Sequence, residues 1–263
     1  HTNTVDVTLE GKTHPVDTGF LVFNERTYPN LIALFALLGI DTVETEMSFS
    51  VSLENPDLEW AGSNLATVFG QKRNLLRREF WAMLSDILRF NRESVAWLAT
   101  HPDHRRSLRD FLNAGNYSAA FADWYLLPMA AAIWSAPTGQ ILDFPARSFL
   151  LFFKNHGLLS LRNRPAWRTV AGGSSSYVKA FTNRFTGSLH LRSPIRKITR
   201  TPDGVRLELA DRSIAHFDEV VIAVHADQAF RLLADPTPDE KRLLAPWKYE
   251  ANSTVLHTDI SVL

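Results

Sequence analysis

Gly172-Gly173-Ser174-Ser175-Ser176 sets three hydroxyls behind two glycines, the pattern in this chain closest to a nucleophile site. A nucleophilic serine needs a base and a strained turn to present it, and the G-x-S-x-G elbow is absent. The same letters describe a glycine-led helix start with a serine cap, which is the simpler reading. His101 and His104 stand three apart around Pro102, a spacing that metal ligands use. No second pair lies at a ligand-like distance, so an exposed charged turn accounts for them as well. Asp6 and Asp17 are carboxylates suited to acid–base work, but Asp6 fits a strand alternation and Asp17 falls at an expected turn. There is no H-E-x-x-H helix and no phosphate-binding G-x-x-x-x-G-K-[ST] loop. Without a cysteine, thiolate zinc sites, iron–sulfur clusters and cysteine nucleophiles are excluded. No catalytic residue is self-evident, a pattern also expected where a bound cofactor takes the hard step and the protein supplies position and electrostatics.

Composition narrows the partners. Lys+Arg and Asp+Glu both number 28, and zero formal charge argues against a nucleic-acid binder, which needs cations in excess. At 45% hydrophobic and 21% charged, the 263 residues can bury a sizeable core as one large domain or two interleaved ones. The apolar run Phe149 to Phe153 stops at Lys154, far short of a membrane span.

The elements that must position any site are β-rich at both ends and helical between. Val5, Val7 and Leu9 alternate with polar residues, which predicts a half-buried strand, followed by a Gly11-Lys12 turn and a second run to Phe20. Pro29 to Leu38 has helical spacing and stops at Gly39. Met47 to Leu53 alternates and turns at Asn55-Pro56-Asp57, predicting a hairpin with Leu58-Glu59-Trp60. From Phe80 to His156 the period is helical, cut at Pro102, Gly115, Pro128, Pro137-Thr138-Gly139 and Pro145. Strands are then expected at 167–170, 189–191, 195–200 and 205–209, with a helix from Ser174 to Phe185 and a turn at Asp203-Gly204. The continuous run Asp218 to Val224 suits a strand buried on both faces of a largely parallel sheet, leading into a helix near Asp227.

Seven stretches carry a likeness that spacing alone does not: HTNTVDV, PVDTGFLVFNERTYPN, EMSFSVSLE, YLLPMAAAIWSAP, FPARSFLLFFKNHGLL, WRTVAGGSSSYV and DEVVIAVHADQAFRLLADPT. Through them nearly the whole chain resembles the FAD-dependent amine oxidase superfamily of predicted NAD/FAD-binding oxidoreductases, which includes protoporphyrinogen oxidases and carotenoid desaturases. The resemblance implies an α/β (α+β) fold: a partial Rossmann-like FAD/NAD(P)-binding domain with an inserted mixed β/helical substrate domain. It assigns 1–45 and 163–235 to FAD binding, and 46–162 and 236–263 to the substrate domain, with a helical insertion over about Gln71 to Arg162. In such proteins a βαβ unit of roughly 30 residues with a G-x-G-x-x-G turn precedes the segment that opens here. The chain is therefore expected to be an internal piece of a longer bacterial, cytoplasmic enzyme. By itself it should hold FAD weakly or not at all, and be inactive.

The resemblance also implies a site. His1, Thr2 and Asn3 would lie beside the FAD ribose and pyrophosphate, and Thr18, Gly19 and Phe20 near the isoalloxazine ring. Ile195 would hold adenine through its backbone, and Ala223, Val224 and His225 would end a strand near the cofactor. Phe49, Tyr125, Met129, Trp134, Phe149, Phe152, Phe153 and His156 are expected to line a substrate cavity, or else to be ordinary core. Arg147 and Lys154 are candidates to meet a substrate carboxylate. No catalytic residue is assigned, and no metal is expected. The expected activity is transfer of a hydride equivalent from a small or lipophilic substrate to FAD, the lack of an acid–base pair leaning towards desaturase-like chemistry. A non-catalytic scaffold that keeps the fold without cofactor is the alternative. An apolar patch on the insertion would let the protein meet a membrane surface.

Overall fold

The computed structural model describes residues 2–101, 105–160, 165–247, 249, 251 and 255–259. His104 and Arg162 therefore lie outside the described residues, as does His1. The chain divides into two compact units, His1–Phe185 and Thr186–Leu263.

The first unit opens with an antiparallel hairpin of β1 (Asn3–Leu9) and β2 (Lys12–Gly19). Gly11 makes the turn in the left-handed region, φ 76°, where glycine has no Cβ penalty. The alternation forms a ladder as expected but buries less: Val5 and Leu9 are exposed. Helix α1 (Pro29–Leu38) starts on a proline and ends on left-handed Gly39. The amide of Ile40 then closes the last turn on the Phe35 carbonyl at 2.9 Å. Strand β3 (Thr42–Thr45) pairs with β6 (Trp167–Val170). The hairpin of β4 (Ser50–Leu53) and β5 (Leu58–Ala61) turns where expected, but its first strand begins at Ser50 instead of Met47. Phe23, Phe35 and Val170 form a small core here.

Between β5 and β6 lie α2 (Leu65–Val68), a 3-10 turn (Lys72–Leu76), α3 (Arg78–Thr100), α4 (Leu108–Ala114), α5 (Ala119–Phe121), α6 (Leu127–Trp134), α7 (Thr138–Ile141) and α8 (Ala146–Asn155). Phe80, Met83, Phe90 and Leu98 fall on one face of α3 and meet Phe121, Phe149, Leu150 and Phe153 in the main core. Each fully buried Phe contributes roughly 2 kcal/mol. Pro128 does not cut the helix, contrary to expectation. Residues 119–134 run on through a widened π-turn (Ala122–Leu126), in which the Leu127 amide reaches back to the Ala122 carbonyl. Pro128 has no N–H for the Trp124 carbonyl four residues back. That carbonyl accepts instead from the Trp60 indole Nε1 at 3.2 Å.

The second unit is a three-stranded antiparallel sheet, β7 (Ile195–Thr201), β8 (Gly204–Leu209) and β9 (Ile214–Phe217). Helix α10 (Ala226–Leu232) packs on β7 through Ala229 and Ile198, and the Ala234 amide donates to the Ile198 carbonyl at 2.9 Å. Helix α11 (Pro238–Leu244) is capped by Thr237 and Glu240. Two expected strands are not there. Residues 189–191 are irregular, and 218–224 pair with no strand among the described residues, leaving Val221 92% exposed. A parallel strand needs neighbours to bury it. Among the described residues every sheet is antiparallel.

Candidate functional site

The Gly172-Gly173 loop and the end of β2 are locked together by one carboxylate. Both oxygens of Asp17 accept from the Ser174 amide, at 2.9 and 3.0 Å, and Oδ2 also accepts from the Ser174 hydroxyl at 2.9 Å. Thr4 Oγ1 donates to Asp17 Oδ1 at 2.5 Å and accepts from the Ser175 amide at 2.9 Å. An anion is thus set at the start of helix α9 (Ser175–Arg184), where unpaired amides and the helix dipole favour it. Ser174 stands at the cap position as expected, yet Asp17 does the capping from the hairpin. Its hydroxyl is held by Asp17 and by the Phe20 carbonyl at 3.3 Å, which makes it a strut, not a nucleophile. Asp17 lies within β2, not in a turn. Gly173 has φ 90°, and a Cβ there would fall 2.8 Å from Thr4 Cγ2, so the approach of loop to hairpin requires glycine.

This lock forms one wall of a cleft of about 490 Å³, lined by Pro15, Val16 and Asp17, Leu21 and Val22, Val43 and Thr45, and Thr169 to Gly173. Gly172, φ 75°, has nothing within 4 Å of where a Cβ would stand, so a ligand could approach its backbone closely. The wall fits the ring of a flavin: mostly apolar, with bare backbone at one edge and its one carboxylate already engaged.

Five of the residues implied as cofactor contacts belong to this unit. Thr2 Oγ1 is hydrogen-bonded to the Tyr177 hydroxyl, and Asn3 Nδ2 donates to Thr18 Oγ1 at 2.6 Å. Gly19 ends β2, and Phe20 follows in the left-handed region at φ 51°, a conformation that costs a non-glycine residue about 1 kcal/mol or more. Ile195, first residue of β7, and Ala223, Val224 and His225, leading into α10, belong to the second unit. There the His225 ring stacks on Tyr249 with centroids 4.3 Å apart.

Phe20 heads a run of ring contacts that reaches the expected cavity residues. Its ring meets Tyr28 edge-on at 6.2 Å, and Tyr28 meets His156 at 6.3 Å. His156 stacks on Phe152 at 3.9 Å, and Phe152 lies 4.8 Å from Trp134. Trp134, Phe152 and His156 are each half-buried, while Tyr125, Phe149 and Phe153 pack inside the core. Phe49 leans on Trp60 and Tyr125, and Met129 packs against the same core. Tyr28 was not legible as part of a site; its only signal was an aromatic directly before the Pro29 helix start. Burial raises its pKa above the ordinary phenol value. His156 Nδ1 is 2.9 Å from the Phe152 carbonyl. A carbonyl only accepts, so Nδ1 carries the proton and Nε2 is the ring atom able to accept.

The other candidates are placed as follows. Arg147 donates to the Leu98 and His101 carbonyls at 3.2 and 3.4 Å, satisfying the end of α3, and Lys154 is exposed. His101 stacks on Trp97, and no metal-binding group occurs among the described residues. Asp86 ties α3 to the start of α5, accepting from the Ser118 amide at 2.8 Å and from Arg89 at 2.9 Å. Burial alone would raise its pKa; the Ser118 and Arg89 hydrogen bonds outweigh that and hold it below the ordinary carboxylate value.

A family model described as flavin containing amine oxidoreductase matches residues 4–257. No curated protein matches the sequence. Among solved structures, a cofactor-binding variant of putrescine oxidase aligns at TM-score 0.62 and 16% identity, covering 92% of this chain and 54% of its own. Cyclohexylamine oxidase from Brevibacterium oxydans IH-35A aligns at 0.63 and 15%, covering 88% and 52%. A CLA-producing fatty acid isomerase from P. acnes aligns at 0.53 and 12%, covering 92% and 54%. At such identities the likeness is one of fold, and the chain spans about half the length of each.

Proposed function

The chain belongs to the flavin-containing amine oxidoreductases, and on that premise we propose that it forms the substrate-facing part, and some of the cofactor-facing part, of an FAD-dependent oxidoreductase. The reading is carried by the ring path from Phe20 through Tyr28, His156 and Phe152 to Trp134, which joins the cofactor side to the substrate side. Residues 1–45 and 163–235 serve the cofactor, and 46–162 and 236–263 the substrate. Thr2, Asn3, Thr18, Gly19 and Phe20 of the first unit would hold FAD. When bound, FAD supplies the acceptor for a hydride equivalent from a substrate C–H bond.

The chain's own residues bind, orient and exclude water. Trp134 and Phe152 offer apolar faces to the body of a small, lipophilic amine and draw its cationic nitrogen by their ring quadrupoles. His156 Nε2 accepts from a substrate N–H and fixes which C–H bond is presented. Tyr28, whose ring meets His156, offers its phenol O–H as a donor. The alternative of a cofactor-free scaffold has no observation in its favour, and the family match does not support it.

The test is flavin content followed by reduction. The full-length protein is loaded with FAD, desalted and denatured to release bound cofactor. Loaded protein is then mixed without oxygen with amines of increasing apolar bulk. Retained flavin whose visible absorbance bleaches with a bulky amine, and about tenfold more slowly in His156→Ala, is the expected result. Absence of retained flavin would sink the assignment.

A further inference from the structure

The helical part of the first unit carries an apolar patch that the described residues leave uncovered. Leu76 is 88% exposed, Leu65 79%, Leu88 57% and Trp81 49%. Trp81 links the elements that carry them. The Trp81 indole donates to the Leu75 carbonyl at 2.9 Å, and its ring lies 5.4 Å from Phe69, which ends the α2 turn begun by Leu65. Leu88 follows Trp81 by two helical turns, on the same face of α3. A single exposed leucine needs no account, but a linked set with a tryptophan does. Cations are interleaved with it: Lys72, Arg73, Arg77 and Arg78 fall between 72 and 78, a stretch without one carboxylate. Arg73 pairs with Asp57, and Lys72 and Arg78 are exposed beside the leucines.

We propose that this patch seats the protein on an anionic bilayer surface. Leu65, Leu76, Trp81 and Leu88 enter the boundary between headgroups and acyl chains, while Lys72 and Arg78 lie against lipid phosphates. The charges favour this occupant over a second copy of the chain. A two-fold dimer through the patch would set its cations against the same cations, and interface cores are poor in lysine. Apolar area edged by basic residues is what an anionic interface binds, each cation adding about fivefold. Among the described residues no helix is long and apolar enough to cross a membrane.

The full-length protein is sedimented with vesicles of phosphatidylcholine alone and of phosphatidylcholine mixed with phosphatidylglycerol, at low and high salt. Binding to the mixed vesicles is expected to exceed binding to the neutral ones by at least tenfold and to weaken with salt. Leu76→Asp should lower it about tenfold or more, and Lys72→Glu and Arg78→Glu about twenty-fivefold each, since each reversal changes two charges. Melting temperature accompanies every variant; should Leu76→Asp unfold, the two exposed charge reversals decide. Equal binding to both vesicle types, or binding unchanged in the charge variants, overturns the proposal. Self-association abolished by Leu76→Asp without vesicle binding would give the patch to a second copy, and also overturns it.

Discussion

Asp17 accepts hydrogen bonds from Thr4 and Ser174 and so joins segments 157 residues apart. In Asp17→Asn one acceptor oxygen becomes a donor facing donors. The expected cost is about 2 kcal/mol, measured as a lower midpoint in urea unfolding. The letters D-T-G and G-G-S were visible in the sequence, and the pairing was not. Nothing local marks which amide a carboxylate will find across the fold. Asp86 gives a pH dependence. Its folded pKa is depressed, so its contribution is present above the ordinary carboxylate pKa and disappears as pH falls through the lower folded value. Stability should therefore drop below about pH 4, and Asp86→Asn should flatten that drop while lowering stability at neutral pH. Unfolding midpoints of both proteins across the acid range check the sign.

At the level of elements, punctuation was legible wherever one residue settled it locally. Pro29 and Gly39 bound α1, and the β7–β8 turn lies one residue before the expected Asp203-Gly204, at Pro202-Asp203. Pro128 misled because the consequence of its missing amide is decided by a partner from another element. Trp60→Phe removes that partner and leaves the part-buried Trp124 carbonyl without it. A loss of about 1–3 kcal/mol is expected, with the π-turn the first segment to lose amide-exchange protection. The β3–β6 pairing was missed because four residues are too few to show a period. The run 218–224 misled in the opposite sense. Its apolar residues predicted a buried strand, and the described chain offers it no neighbour.

For the whole molecule, mixed helix and strand content agrees with an α/β flavoprotein fold, and membership of the family was legible from segments spread along nearly the entire chain. A parallel sheet was not found among the described residues. Of the site, Phe20 was named from the resemblance, but its left-handed backbone and the part the glycine loop plays beside Asp17 came only with the structure, and the division of the aromatic residues into core and wall depended on packing. Every aromatic in a helical stripe looks alike until its neighbours are known.

The pairing of Thr45 with Trp167 at the end of the β3–β6 ladder has a consequence for how such a protein can change. The chain leaves for the helical segment and returns from it at adjacent residues of one ladder. Everything between is a cassette whose length and contents can be exchanged with little effect on the hairpin and loop beneath, since lengthening a closed excursion adds only slowly to its entropic cost. Substrate preference can then diverge by remodelling the cassette, while the frame that would meet the cofactor is inherited unchanged.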